Sequence, residues 1–191
     1  MAELKSLDTG VRSRTRKAIL EAAIGVLATS PAASLSDIAT AAGVGRSTLH
    51  RYFPERAALM RAVALHVHDM CNAAIDRAEP ACGAPLAALR RVVEAQLDLG
   101  PIVPFIYNEP TIMADPELSA FLDTGDEAIT ELLERASTQP QTSPPGWPRL
   151  AFWALLDAGY AALRRNTAPR VEIIDAIMAS LTSGTIAPDP S

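Results

Sequence analysis

Two arginines, a serine, a threonine and a histidine crowd residues 46–51 of the stretch "AGVGRSTLHRYFP" (42–54), in a 191-residue chain of net charge −5. Grouped cations and hydroxyls suit a polyanion: a guanidinium bonds guanine O6 and N7 or a phosphate, and hydroxyls bond phosphates or base edges. The distribution of charge agrees. Residues 1–61 hold nine Lys/Arg against five Asp/Glu and residues 62–191 hold eight against seventeen, so a +4 stretch precedes a −9 one. A solvated basic face is the plainer alternative.

Other candidate chemistry is sparser. "HVHDMC" (66–71) suggests a metal, but His66 and His68 sit about 200° apart on a helix and cannot chelate one ion. His68 with Cys71, or His66 with Met70, share a face and offer only two ligands, so no metal is expected. A buried histidine or a polar group on a cavity wall fits better. "PFIYNEPTIM" (104–113) follows a proline-opened piece and places Tyr107, Asn108 and Glu109 at a wall or gate; a solvated loop is the alternative. Phe105, Met113 and Trp153 supply apolar lining or core. His66, Met70, Phe105, Tyr107, Asn108, Met113 and Trp153 are thus the candidate ligand-pocket residues. No Gly-rich phosphate loop, GxSxG elbow or HExxH occurs, so neither catalysis nor a cofactor is expected. Cys71 and Cys82 lack zinc-like or disulfide-framework spacing and read as free thiols. The polar start and the lack of an apolar run of roughly 18–20 residues give a cytoplasmic expectation with no membrane partner.

The positioning elements all carry helical periodicity, with no period-2 strand of useful length, so the chain reads as all-α. About nine helices are expected. The first, over 14–28, has Ile19, Ala23, Val26 and Leu27 at helical spacing, and Arg14, Arg16 and Lys17 near its start, where they oppose the helix dipole. Ser34 and Asp37 form a capping-box start for a two-turn helix that Gly43 stops. A second short helix over 46–53 ends at Pro54. Leu49 and Phe53 then share one face, while Ser47, Thr48 and Arg51 project from another and His50 lies at the border. Two short helices joined by a Gly turn and covered by a third match a helix-turn-helix, although such shapes also occur as inert packing units. Further helices are expected over 55–77, 86–100, a short piece from Pro101, 116–136, 148–165 and 169–183. A proline-rich loop "STQPQTSPPGWP" and a frayed tail "GTIAPDPS" complete the chain.

Residues 17–63, above all "LSDIATAAGVGRSTLHRYFPERAALMRAV", resemble the DNA-binding domain of the TetR family of transcriptional regulators. That domain has an Ile-Ala…Ala-Gly-Val turn, a Thr-Leu-Tyr-x-Tyr-Phe recognition helix and a Lys-x-x-Leu entry to its fourth helix. The resemblance implies a three-helix DNA-binding domain over 1–54 and an effector-binding and dimerisation domain over 55–191. It assigns a groove or phosphate contact to Ser36, base reading to Arg46, Ser47 and Thr48, and backbone clamping to His50, Tyr52 and Arg56; Arg14, Lys17 and Arg51 join the candidate DNA contacts by charge. His50 stands where tyrosine is usual and Arg56 where lysine is usual. The first departure makes pH-dependent operator affinity near the imidazole reference of about 6.5 an expectation to test.

Val171, Ile174, Met178 and Leu181 follow a 3-4-3 spacing, and the preceding helix offers Phe152, Leu155, Leu156, Tyr160 and Leu163 among Ala158, Gly159 and Ala162. Burial within one chain accounts for part of this surface. The resemblance implies a four-helix interface between two copies, which assigns Phe152, Leu156, Tyr160, Leu163, Val171, Ile174, Met178 and Leu181 to a homodimer. The whole then reads as a ligand-responsive repressor, released from a palindromic double-stranded DNA operator by an unidentified small-molecule effector. A helical protein–protein adaptor without DNA binding is the alternative, and an enzyme a further one.

Overall fold

The computed structural model describes residues 2–137 and 143–184, with side-chain surroundings for 12–137 and 143–183. Residues 138–142 of the expected proline-rich loop and the expected frayed tail beyond 184 lie outside the described residues. Among the described residues there are eleven helices and no strand: α1 Ala2–Thr29, α2 Leu35–Ala41, α3 Arg46–Tyr52, α4 Arg56–Arg77, α5 Pro85–Leu97, α6 Ile102–Tyr107, α7 Pro110–Met113, α8 Pro116–Leu122, α9 Glu127–Ala136, α10 Trp147–Arg165 and α11 Arg170–Gly184.

Three expectations change. The first helix starts at Ala2 instead of near residue 14; residues 2–13 contain no proline and only one glycine, so nothing local ends a helix before Arg14. Arg14 and Lys17 therefore lie well inside α1, and the argument that they oppose a helix N-terminus lapses. The single helix expected over 116–136 is two, α8 and α9, because Gly125 turns the backbone at φ +84° between them. The short piece after Pro101 is α6, followed by a one-turn α7 that periodicity over four residues is too short to reveal.

One continuous hydrophobic core runs from Ile19 through Leu49, Leu59, Val92, Leu132 and Phe152 to Leu181. The short helices depend on it. Leu49 and Phe53 are buried against the α1–α2 side, each contributing about 1.5–3 kcal/mol relative to exposure. Local capping adds to this: the Ser34 hydroxyl accepts from the Asp37 amide, and Asp37 Oδ2 accepts from the Ser34 amide at 2.8 Å. α1 packs on α2 and also on α4 and α6, so the N-terminal helices touch the rest of the chain at more than one place. α4 runs from the end of α3 into the body, where it lines a cavity together with α6, α7, α8, the α8–α9 turn and α10.

Candidate nucleic-acid interface and ligand cavity

α3 presents its polar side outward. Arg46, Ser47, His50 and Arg51 are exposed, Thr48 and Tyr52 half-buried. Among the described residues nothing hydrogen-bonds to the side chains of Arg46, Ser47 or Thr48. Gly45 at the N-cap offers no side chain to α3's first amides, so the helix start is open to an anion. The guanidinium of Arg51 lies over the Tyr52 ring at 5.6 Å, which orders both side chains along one edge. His50 Nδ1 donates to the Pro54 carbonyl at 3.2 Å, leaving Nε2 outward as an acceptor when neutral and a donor when protonated. Arg14 is exposed on α1, and Lys17 pairs with Glu21 at 3.6 Å, an exposed contact worth little in water. Ser36 is half-buried beside the Ser34–Asp37 box. The Ser34 hydrogen bonds hold the Asp37 carboxyl below its usual range, with a smaller contribution from Arg46.

Arg56 differs from the phosphate-clamp expectation. Its guanidinium donates to the Ala33 and Pro31 carbonyls, the latter at 3.0 Å, so the first residue of α4 fastens the α1–α2 loop. Sequence spacing gave no sign of this, because the partners are 23 and 25 residues away.

The body holds a cavity of about 780 Å³, within the range of small-molecule sites. Tyr107, Asn108, Met113 and Trp153 line it; His66 and Met70, half-buried on α4, line neither it nor the second cavity, and Phe105 lines the second. That second cavity, about 480 Å³, lies between the end of α1, α6 and α10. Exposed Met113 and Leu150 mark the mouth of the first.

Polar groups unforeseen from the sequence organise the wall. Asp126 is 7% exposed, and its Oδ2 accepts from Arg149 Nε at 2.7 Å and Trp153 Nε1 at 2.6 Å. Arg149 also donates to Asp123 Oδ1 at 2.7 Å. Burial opposes the Arg149 charge, but the hydrogen bonds to Asp123 and Asp126 outweigh it and raise its pKa. The one signal that could have found this group is "DTGD" (123–126), a Gly turn flanked by carboxylates.

Opposite it, Asn72 Nδ2 donates to His68 Nε2 at 3.1 Å, so His68 Nδ1 carries the proton and donates to the Tyr107 hydroxyl at 3.0 Å. The Tyr107 hydroxyl hydrogen-bonds the Cys71 thiol, whose burial pushes its pKa up to about 12 and leaves it unreactive. Burial lowers the pKa of His68 from 6.5, against the opposing pull of Asp69, Asp126 and Glu127. As pH falls through 6.5, the unfolded chain takes up a proton that the folded chain refuses, so stability falls as pH drops toward the folded value. Denaturant melts at about pH 8 and about pH 5 will show that decline for the native chain and a smaller one for His68→Gln.

The expected dimer seam divides. Phe152, Leu156, Tyr160, Ile174 and Leu181 are buried inside this chain's own core, which removes them as surface for a second copy. Tyr160 donates to the Gln96 carbonyl at 2.6 Å, and Leu156 and Tyr160 face the cavity. Leu163 and Met178 are half-buried, and Val171 is 58% exposed. The close α10–α11 approach at Gly159, where an added Cβ would lie 2.8 Å from Ile177 Cδ1, drew the apolar stripes inward.

A model of bacterial regulatory proteins of the tetR family matches residues 19–63, covering α2, α3 and their flanks. The HTH-type transcriptional repressor LfrR of Mycolicibacterium smegmatis is 64% identical over 181 residues, 95% of each chain. The chain belongs to the TetR family. The crystal structure of the TetR-like transcriptional regulator LfrR from Mycobacterium smegmatis in complex with proflavine superposes with a TM-score of 0.83, covering 91% of this chain and 98% of that one at 64% identity. A TetR family regulator from Marinobacter aquaeolei VT8 shares the fold at 19% identity and a TM-score of 0.68, covering 90% and 95%. This TetR-family protein is a ligand-responsive, DNA-binding transcriptional repressor. No helix among its described residues is long and apolar enough to cross a membrane.

Proposed function

We propose that this regulator acts in the cytoplasm as a homodimer on an inverted-repeat operator and is released by a planar aromatic cation. Residues 1–54 form the reading head and residues 55–191 the effector and dimerisation body. Arg46, Ser47 and Thr48 read bases, while Arg14, Lys17, Ser36, His50, Arg51 and Tyr52 hold phosphates. The carrying observation is the cavity wall: Asp123, Asp126 and Asp157 against Arg149 alone leave it two negative charges in excess, beside the rings of Tyr107 and Trp153. That combination suits a flat cation. Proflavine, found in the crystal complex of LfrR, is such a molecule and supports the same class here.

Two copies meet through the outer faces of α10 and α11, where Ala154, Ala158 and Val171 are exposed and Leu155, Leu163 and Met178 half-buried. The small residues permit close helix approach. Such a dimer sets two α3 helices about 34–36 Å apart, one turn of DNA. α4 carries the signal. Its Arg56 holds the α1–α2 loop, and its Arg61 pairs with Asp115, the N-cap of cavity-lining α8. An effector that displaces α8 thereby moves both ends of one lever, and release needs only a coupling of about 1–3 kcal/mol.

The test is selection of bound fragments from the source genome, followed by fluorescence anisotropy with and without proflavine. Binding should concentrate on paired half-sites, weaken steeply with salt and be reversed by proflavine. Absence of any sequence preference at low ionic strength, or unchanged affinity with proflavine bound, refutes the reading. Asp115→Asn keeps a good cap for α8 but removes the partner of Arg61. It should leave the separate affinities for DNA and proflavine intact while lowering their coupling by up to about fivefold, the ceiling for an exposed pair. Unaltered coupling would remove this contact from the lever.

A further inference from the structure

The three carboxylates of the cavity wall are not equivalent. Asp126 accepts from both Arg149 and Trp153, and Asp123 accepts from Arg149 at 2.7 Å, so both carboxylates already hold internal donors, although one guanidinium balances only one of their two charges. Asp157 makes no hydrogen bond and no ion pair among the described residues. Arg164, two helical turns further along α10 and facing the second cavity with it, does not reach it.

Position sharpens the contrast. Asp157 follows Trp153 by four residues on α10, so carboxylate and indole stand one turn apart on one helix face. Asp157 borders both cavities, as do Pro104 and Asn108 of the α6 end. A flat cation lying along Trp153 can thus direct an N–H toward a carboxylate that has no competing internal donor. Its charged end then sits at the partition facing Leu27 and Pro31, the close of α1 and the loop that Arg56 fastens.

We propose that Asp157 is the cation partner of the effector and sets this regulator's preference for charged over neutral planar ligands, an inference that rests on the cationic-effector reading above. A carboxylate beside an aromatic face that has no internal donor gains a charge-assisted hydrogen bond on binding in exchange for water alone. The internally hydrogen-bonded Asp123–Arg149–Asp126 group instead shapes the wall and holds the α8–α9 turn to α10. A neutral tricycle finds the same apolar surfaces but leaves Asp157 to water.

The test is a pair of fluorescence titrations of the full chain, with proflavine and with neutral acridone, on the native protein, Asp157→Asn and Asp157→Glu. Asp157 is exposed, so the helical signal and melting temperature report that each variant is folded. Asp157→Asn should weaken proflavine about tenfold, flatten its salt dependence and leave acridone unchanged, while Asp157→Glu recovers most of the loss. Equal proflavine affinity in Asp157→Asn and native protein overturns the inference and leaves the cationic-effector reading standing. Equal weakening of both probes also overturns it, by making the effect one of shape. Native protein that binds acridone but not proflavine overturns both.

Discussion

Replacing Arg46 by alanine weakens operator binding by about 1–3 kcal/mol at each half-site, so about 2–6 kcal/mol for a dimer, and relaxes base preference at one position of each half. Three features of the residue set this size. Arg46 opens α3, and in the reading proposed above that is the end of the recognition helix that meets base edges. Its guanidinium is exposed and has no hydrogen-bonded partner among the described residues, so binding DNA breaks no internal hydrogen bond. Its loss leaves Leu49 and Phe53 buried, so the head stays folded. Anisotropy on operator variants changed at single positions separates this from a general loss of charge: a base-reading arginine shows a position-dependent penalty, a phosphate contact a uniform one with a shallower salt slope. A uniform penalty would move Arg46 to the backbone-holding group. Arg56→Ala makes the contrasting case, because its guanidinium serves the Pro31 and Ala33 carbonyls and its removal loosens the α1–α2 loop.

Replacing Asp126 by alanine lowers stability by about 2–4 kcal/mol, the scale of breaking a largely buried charge pair on one side. Two donors lose their acceptor at once, Arg149 Nε and the Trp153 indole N–H, at a site where the lost carboxylate was 7% exposed. The retained Arg149–Asp123 pair and the partial exposure of Arg149 keep the loss below the fully buried limit. In a chain of this length the melting temperature should fall by roughly 5–12 °C. Asp126→Asn keeps an acceptor for one donor and should lose about half as much. Denaturant melts of the three proteins decide it. A loss below about 0.5 kcal/mol for the alanine variant would mean that water replaces the carboxylate without penalty, and that the wall is softer than its hydrogen bonds imply.

The head was legible from the sequence because its determinants are local. A capping box spans four residues, Gly43 takes the positive φ that its turn requires, and Leu49 and Phe53 recur at helical spacing over a single short helix. Part of the cavity was legible too: Tyr107, Asn108, Met113 and Trp153 stood out as aromatic or polar residues in a helical body, and they share one wall. His66, Met70 and Phe105 had the same signal and lie elsewhere, since composition and periodicity place a residue on a helix face without saying which neighbour that face meets.

By itself, then, the sequence determined the all-helical class, the helix-turn-helix and the outward side of α3, all consequences of contacts within a few residues. Only the tertiary structure decided that Arg56 fastens a loop 23 residues earlier, that Asp126 binds Arg149 and Trp153 more than 20 residues later, and that the apolar stripes of α10 and α11 close on one another. The reason is physical. Hydrogen bonds and packing between distant segments depend on how helices cross, and crossing is settled by the shape of the whole core at points such as Gly159, where the missing side chain lets Ile177 approach.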